Sequence, residues 1–441
     1  MADYDLVIVG GGPAGLTAGL YAARANMSVV LFEAKDVGGE ILNTDLIEDW
    51  PGEESITGRA LAEQMASHAR KFGLTIQPYS PVRKIGMAGD RKLIELADGT
   101  THTAYAVIVT VGGEPMKLGV PGEEELHGRG VSYCAVCDGA FFKGEDLAVI
   151  GGGDSAFQEG LFLTRFAKKL YLVHRRNEFR AQAILQDRLL GMDNVEAVTP
   201  AVVRAIGGED GVQWIDVEQN GKPRRIDVGG VFVFVGFKPV GGSLFEEHID
   251  HDENGYLLTD QWMRTNIPGV YAAGDARAQL AKQITTAVGD ATTAVLHAER
   301  YIEELKHARR TFPEATSEVL EESVERMRVA RYQAGEVIVR QGDPSDSFFI
   351  LTKGAASVRV RQADGEHEIS KVRPGEFFGE IGLLTGAPRN ATIRATMPSE
   401  ALVLDADGFR QLVTSSQATA DHVRSLMERR LSELPVSAGR R

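Results

Sequence analysis

Cys134 and Cys137 are the only cysteines in a chain of 441 residues, set two residues apart in Cys-Ala-Val-Cys and followed at once by Asp138. A thiolate is the attacking species in disulfide exchange, and a second cysteine within reach both resolves the mixed disulfide and tunes the potential of the pair. An acid in the next position can move the proton that exchange requires. Two cysteines cannot build a disulfide framework, so a close pair reads as catalytic, redox-sensing or metal-binding. Zinc asks for four ligands, and no second Cys/Cys or Cys/His pair stands at ligand spacing, so no metal is expected. Two buried structural cysteines are the plain alternative, which leaves Asp138 without a role.

The elements around the pair carry one signal twice. Residues 3–34 read as an apolar strand, a glycine turn, a helix and a second strand, with Gly10, Gly12 and Gly15 in G-x-G-x-x-G positions and Glu33 eighteen residues after Gly15. Such glycines let the backbone approach a pyrophosphate at a helix N-terminus, and the acid accepts from ribose hydroxyls. The second copy has Gly151, Gly153 and Ala156, and then His174, Arg175 and Arg176 where the first has its acid. Cations there favour a 2′-phosphate, hence NADPH over NADH. Opposite charge at the two ribose positions implies two dinucleotides, and FAD with NADPH is the simplest pair. A third segment, the Gly274-Asp275 turn before a long helix, looks like the second flavin-binding segment of two-dinucleotide flavoproteins.

From residue 1 to about 305 the chain resembles bacterial-type, low-molecular-weight thioredoxin reductase. The resemblance rests on GGGPAGL from Gly10, CAVCDG from Cys134, GGGDSA from Gly151, His174-Arg175-Arg176 with Arg180, and GVYAAGD from Gly269, in that order. It implies an NADPH-dependent flavoprotein in which electrons pass through FAD to a Cys134–Cys137 disulfide and on to thioredoxin or a glutaredoxin-like protein. Cys137 would be the thiol nearer the flavin, Cys134 the thiol attacking the partner, and Asp138 the acid–base group. The resemblance further implies a homodimer and a domain rotation, with hinges at Met116–Leu126 and Val235–Phe245, where Gly and Pro cluster. The chain departs from the family at Glu40 and Asp49, where amides are usual near the flavin, at Lys282 in place of an Arg before Gln283, and at Thr110-Val111-Gly112-Gly113 in place of Ala-Thr-Gly. A carboxylate near the ring disfavours its anionic reduced form, so Glu40 and Asp49 bear on the flavin potential.

Beyond Ile302 the chain turns charged, and residues 306–316 read as a linker before a helix. Past that helix, β-branched residues alternate with glycine turns, the pattern of an antiparallel barrel or jelly roll. Residues 317–433 resemble the cyclic nucleotide-binding domain, with Gly379, Glu380 and Arg389 of the phosphate cassette in place. Arg389 would hold the cyclic phosphate and Glu380 the ribose 2′-hydroxyl. Gly382 stands where Ala is common, and Asn390 stands after the Arg where Ala, Ser or Thr is frequent. The ligand implied is a cyclic nucleotide, cAMP in preference to cGMP. A cassette fold that binds nothing is the alternative.

The expected fold is therefore α/β, with two Rossmann-like domains followed by a β jelly roll with flanking helices. The expected boundaries are a discontinuous FAD domain (1–116 and 246–305), an NADPH domain (117–245) carrying the Cys pair, the linker (306–316), the nucleotide domain (317–433) and a tail (434–441). A formal net charge of -14 and a pI near 5.3 repel nucleic acid and anionic membranes, so neither is expected as a partner. No apolar run approaches the ~20 residues of a membrane span and the start lacks signal-peptide features, which reads as cytoplasmic. Two functions remain open: a disulfide reductase regulated by a cyclic nucleotide, and a redox-reporting nucleotide sensor with incidental turnover. A transcription factor would need a DNA-reading element after the sensor, where this chain offers one terminal helix and a tail.

Overall fold

The structure is a computed structural model and describes residues 3–433; the tail at 434–441 lies outside the described residues. In the first half the run Tyr4–Val9 is apolar almost throughout and lies parallel between Val29–Phe32 and Thr101–Val109. A strand buried on both faces needs such a run. The sheet order is Thr75–Gln77, Val29–Phe32, Tyr4–Val9 and Thr101–Val109, continued by antiparallel Lys92–Leu96 and Val82–Met87. Val270–Ala272 returns late in the chain to pair parallel with Thr101–Val109. Helix Pro13–Arg24 begins with proline at its first turn, where a missing N–H costs nothing. It sits so close to the preceding strand that a Cβ on Gly15 would lie 1.9 Å from the Gly10 carbonyl oxygen.

A second parallel sheet, ordered Val195–Val198, Lys169–Val173, Asp146–Gly151, Gly230–Phe234 and Val131–Ser132, forms the inserted half. An antiparallel three-stranded sheet, Ala201–Gly207, Trp214–Gln219 and Lys222–Asp227, packs with it. The two chain crossings between the halves pair with each other, Gly113–Pro115 against Phe237–Pro239. This two-stranded ribbon falls beside the Gly- and Pro-rich segments.

The C-terminal part is a sandwich of two four-stranded antiparallel sheets whose inner residues, among them Phe349, Val403, Ala356 and Ile393, form one core. Helices Ser317–Arg326, Glu380–Thr385, Ala406–Thr414 and Gln417–Glu433 flank it.

Residues 306–316 are not a linker in the structure. Helix Ile284–Thr311 runs through the first six of them, and Phe312 and Ala315 are buried. The charged residues there occupy one face, while Ile302, Leu305, Ala308 and Phe312 form a stripe at helical spacing. That stripe carries one continuous apolar core from Leu6 and Ile8 of the first sheet to Phe348, Phe377 and Phe409 of the sandwich. Fully buried Lys92 crosses the same junction, with Nζ 2.7 Å from Glu321 Oε1, and the Tyr301 hydroxyl donates to the same oxygen at 3.3 Å.

Candidate active site and sensor pocket

Cys134 and Cys137 form a disulfide at the start of a single helical turn, Ala135–Asp138. The Cys137 N–H points at Cys134 Sγ, 3.1 Å away, and the Ser132 hydroxyl accepts from the Cys134 N–H at 3.0 Å. Cys134 is half-buried and Cys137 exposed. Across the gap between the two halves, Asn43 Oδ1 lies 3.3 Å from Cys134 Sγ and 3.9 Å from Cys137 Sγ. Asn43 also donates to Glu40 at 3.0 Å, so the disulfide is turned toward the Gly38–Asn43 segment of the first half. Asp138 is adjacent to the pair and half-buried. Neither Asn43 nor its neighbour Asp45 could be singled out from sequence, because an isolated amide or acid in a loop carries no periodic signal.

Two flanking ion pairs hold the halves in this arrangement, Arg165 to Asp45 at 2.8 Å and Arg188 to Glu48. Glu40 and Asp49 are both exposed, but Asp49 enters no side-chain hydrogen bond or ion pair among the described residues, whereas Glu40 is tied to Asn43. Solvent reaches Glu40, but the walls of the cleft crowd it, and this desolvation pushes its carboxyl above the usual range; Asn43 and Lys35 oppose the shift and Asp275 adds to it. Asp275 is raised in the same way, by burial first, with Lys282 opposing. The Lys282 ammonium donates to the carbonyls of Asp275 and Arg277 and lies 3.8 Å over the Tyr256 ring. Buried Asp290 on the long helix accepts from the Gly274 N–H at 3.2 Å and from Arg277 at 3.1 Å, which fixes the turn. Gln283 caps that helix in a reciprocal capping box with Thr286.

The first glycine turn holds Gly12 in extended conformation as the helix N-cap, with no side-chain cap, and a Cβ there would meet no atom closer than 3.9 Å. Gly10 has φ of 108°, in the region that favours glycine. Glu33, at the ribose position, accepts from the N–H groups of Gly11 at 2.5 Å and Lys35 at 2.7 Å. In the second turn Gly153 caps helix Asp154–Leu163 in the same way, with open space beside it, and Ala156 is fully buried against Gly151. His174 is buried, its Nε2 has no partner, and burial holds its pKa below the ordinary value. Arg175, Arg176 and Arg180 enter no side-chain ion pair among the described residues, and Arg175 and Arg176 are exposed. Open helix N-termini, an orphaned imidazole nitrogen and three unengaged guanidinium groups fit two dinucleotides, the second with an added phosphate.

In the sandwich, Gly379 takes φ of 95° before helix Glu380–Thr385, where a Cβ would meet Arg389 Nη1 at 2.7 Å. Buried Arg389 donates to the carbonyls of Ser347 at 2.8 Å and Gly379 at 3.1 Å, and reaches Asp346 at 3.4 Å. Glu380 is buried too, and Arg430 of the terminal helix donates to it at 2.8 Å. Arg430 could not be singled out from sequence, being one of several arginines on a polar helix. Asn390 is half-buried beside Arg389. At Gly382 an added Cβ would lie 1.9 Å from Ser345 Oγ, because Ser345 fills the space and donates to the Ala387 carbonyl at 3.0 Å.

Among the described residues no helix is long and apolar enough to cross a membrane, and no group of His, Cys, Asp and Glu side chains is clustered to hold a metal.

Residues 4–291 match the family model for pyridine nucleotide-disulphide oxidoreductase, and residues 329–416 match the cyclic nucleotide-binding domain. Thioredoxin reductase of Listeria innocua is 45% identical over 309 residues, covering 69% of this chain and 96% of that protein. Thioredoxin reductase of Bacillus subtilis is 43% identical over 312 residues, 70% of this chain and 98% of the relative. Among solved structures, Lactococcus lactis thioredoxin reductase (FR conformation) superposes with a TM-score of 0.66 at 41% identity, over 68% of this chain and 99% of that one. Thioredoxin reductase of T. acidophilum gives 0.65 at 34% identity, over 68% and 98%. With this fold around a paired-cysteine turn, the chain belongs to the pyridine nucleotide-disulphide oxidoreductases. Within that family it is of the thioredoxin reductase type, joined to a cyclic nucleotide-binding domain.

Proposed function

We propose that the chain is a cytoplasmic, homodimeric NADPH–thioredoxin reductase whose turnover is governed by a cyclic nucleotide, cAMP in preference to cGMP. The observation that carries the reductase reading is the Cys134–Cys137 disulfide held against Asn43 in the cleft between two dinucleotide-type glycine turns. Bound FAD supplies two-electron transfer between a nicotinamide and a disulfide. Gly10, Gly12 and Gly15 admit its pyrophosphate, while Glu33, Gly274, Asp275 and Gln283 line its path. Gly151, Gly153 and Ala156 admit NADPH, His174 flanks it, and Arg175, Arg176 and Arg180 take the 2′-phosphate.

Within the protein, opening the disulfide frees Cys134 to attack a disulfide of thioredoxin or a glutaredoxin-like protein; Cys137 then resolves the mixed disulfide and Asp138 handles the proton. Half-buried Cys134 cannot meet a protein in the closed arrangement, so the inserted half must turn about the ribbon Gly113–Pro115/Phe237–Pro239. In the sandwich, Arg389 holds the cyclic phosphate with Gly379 and Asn390 beside it, and Glu380 takes the ribose hydroxyl.

NADPH oxidation in the presence of a thioredoxin, with and without cAMP and cGMP, tests the whole reading. NADPH is expected to serve far better than NADH. Cys137→Ser is expected to abolish partner reduction while the flavin is still reduced by NADPH, since hydride transfer to flavin uses no thiol. Full turnover by Cys137→Ser would remove the dithiol from the mechanism.

A further inference from the structure

Glu159 sits on helix Asp154–Leu163, whose first turn is the second glycine motif and whose side packs on the Cys134–Cys137 turn. Its side chain is 6% exposed, and Oε2 is buried without any hydrogen-bond partner. Its carboxyl faces the backbone N–H of Ala135, the residue just after Cys134, which opposes the rise in its pKa. A buried polar atom left without a partner is uncommon and asks for a reason. From the first half the groups facing it are Asp45 and Glu40, both acidic, with Arg165 engaged by Asp45 and Asn43 by Glu40. Asp138 stands on the Cys turn itself, and Asp154 at the start of Glu159's own helix is taken by Gln182. No cation in this set is free to neutralise Glu159. Burial, reinforced by the charge of Asp45, pushes its pKa up to about 8, so the group carries a proton at neutral pH.

Opening the Cys134–Cys137 bond with two electrons and one proton breaks S–S and yields one thiol and one thiolate; the electrons come from the reductase's own donor. The disulfide offers only weak sulfur acceptors, whereas the thiolate is a strong one. We propose that Glu159 is a positioning residue for the dithiol: its O–H finds its missing partner in the thiolate created when the disulfide opens, and so stabilises the reduced pair on its buried side. Asp138 then serves the open side, where the partner protein is met, and Glu159 the closed side, where electrons arrive. The role rests on the pair being the redox centre of the reductase.

The test uses full-length, flavin-loaded protein reduced with NADPH and alkylated with iodoacetamide across a pH series. Native protein in which NADPH exposes no alkylatable thiol would overturn the reductase reading itself, and this proposal with it. Glu159→Leu removes the donor at similar volume and is expected to raise the midpoint of alkylation by about one pH unit, a roughly tenfold smaller thiolate fraction below it. Glu159→Gln keeps an N–H donor and an acceptor for Ala135 and should restore most of the native midpoint. Coincident midpoints in all three proteins would overturn the proposal alone, as would a Gln variant displaced as far as the Leu variant. Should the Leu variant lose its flavin, the midpoint potential of the dithiol in native and Glu159→Gln protein decides. The two curves should run together below about pH 8 and part above it, the native dithiol becoming harder to reduce once an ionised carboxylate faces the thiolate. Curves that stay parallel throughout would overturn it.

Discussion

The flavin-side half of this molecule has two neighbours, and it is joined to them by opposite means. Toward the inserted half the connection is a two-stranded ribbon three residues long, flanked by ion pairs at the surface. Toward the sandwich there is a continuous apolar core, a 28-residue helix that enters it, and a buried ion pair with a tyrosine donating to it. Exposed ion pairs contribute about 0–1 kcal/mol, whereas removing one partner of a buried pair costs about 3–5 kcal/mol. One joint is thus lightly held, and the other is held by a buried core. Under the proposed regulation, a nucleotide bound in the sandwich would act on the wall of the cleft through this packed joint and not through a flexible tether.

The difference is open to attack at its strongest point first. Lys92→Met should lower unfolding stability by about 3–5 kcal/mol, because Glu321 is left buried and unpaired. Burial already raises the Glu321 carboxyl, with Lys92 opposing, so the variant should gain stability on acidification, as Glu321 takes up the proton it then prefers to bind when folded. Adding Glu321→Met should recover most of the loss. Denaturant unfolding of the three proteins checks this, and a loss below about 1 kcal/mol in Lys92→Met would make the joint an ordinary surface contact.

Next in size is the coupling itself. If the rigid joint transmits, cAMP should change apparent NADPH or thioredoxin affinity about 5- to 150-fold, with the reciprocal change in nucleotide affinity. Calorimetry on oxidised and reduced protein reads both directions. Arg389→Ala should weaken nucleotide binding by about 1.5–3 kcal/mol and leave basal turnover unchanged.

The smallest effect belongs to the lightly held joint. Arg165→Ala and Arg188→Ala should each cost no more than about 1 kcal/mol and change turnover by less than about fivefold. A larger stability loss would mean that the closed arrangement is held as firmly as the sensor is.

The motifs legible from sequence were those in which residue type is dictated by backbone geometry or by covalent chemistry. Gly10, Gly15 and Gly379 are forced by φ or by close approach, and Cys134 and Cys137 by reactivity. Burial of charge was not legible, since Lys92 and Glu321 look by type like solvated surface residues. The stretch 306–316 misled for a related reason: its charged face outnumbers an apolar stripe that continues one begun upstream at Ile302 and Leu305. Glu159 left a faint signal, an acid within the otherwise mostly apolar Ala156–Leu163 run. Glu40 and Asp49 look equivalent as departures from the family, yet only Glu40 is linked to the cysteine turn, through the Asn43 amide that also faces the disulfide.

The missing methyl group at Gly382 couples two positions far apart in the sequence. Ser345 Oγ occupies the volume that the commoner alanine would need, 1.9 Å from where its Cβ would stand, and bonds the Ala387 carbonyl in return. Replacing Gly382 with alanine is therefore a damaging change in this background. Ser345 Cβ and the Ala387 carbonyl oxygen stand 2.6 and 2.8 Å from the same point, so trimming Ser345 alone leaves no room, and a redesign toward alanine must shift the backbone at 387 as well.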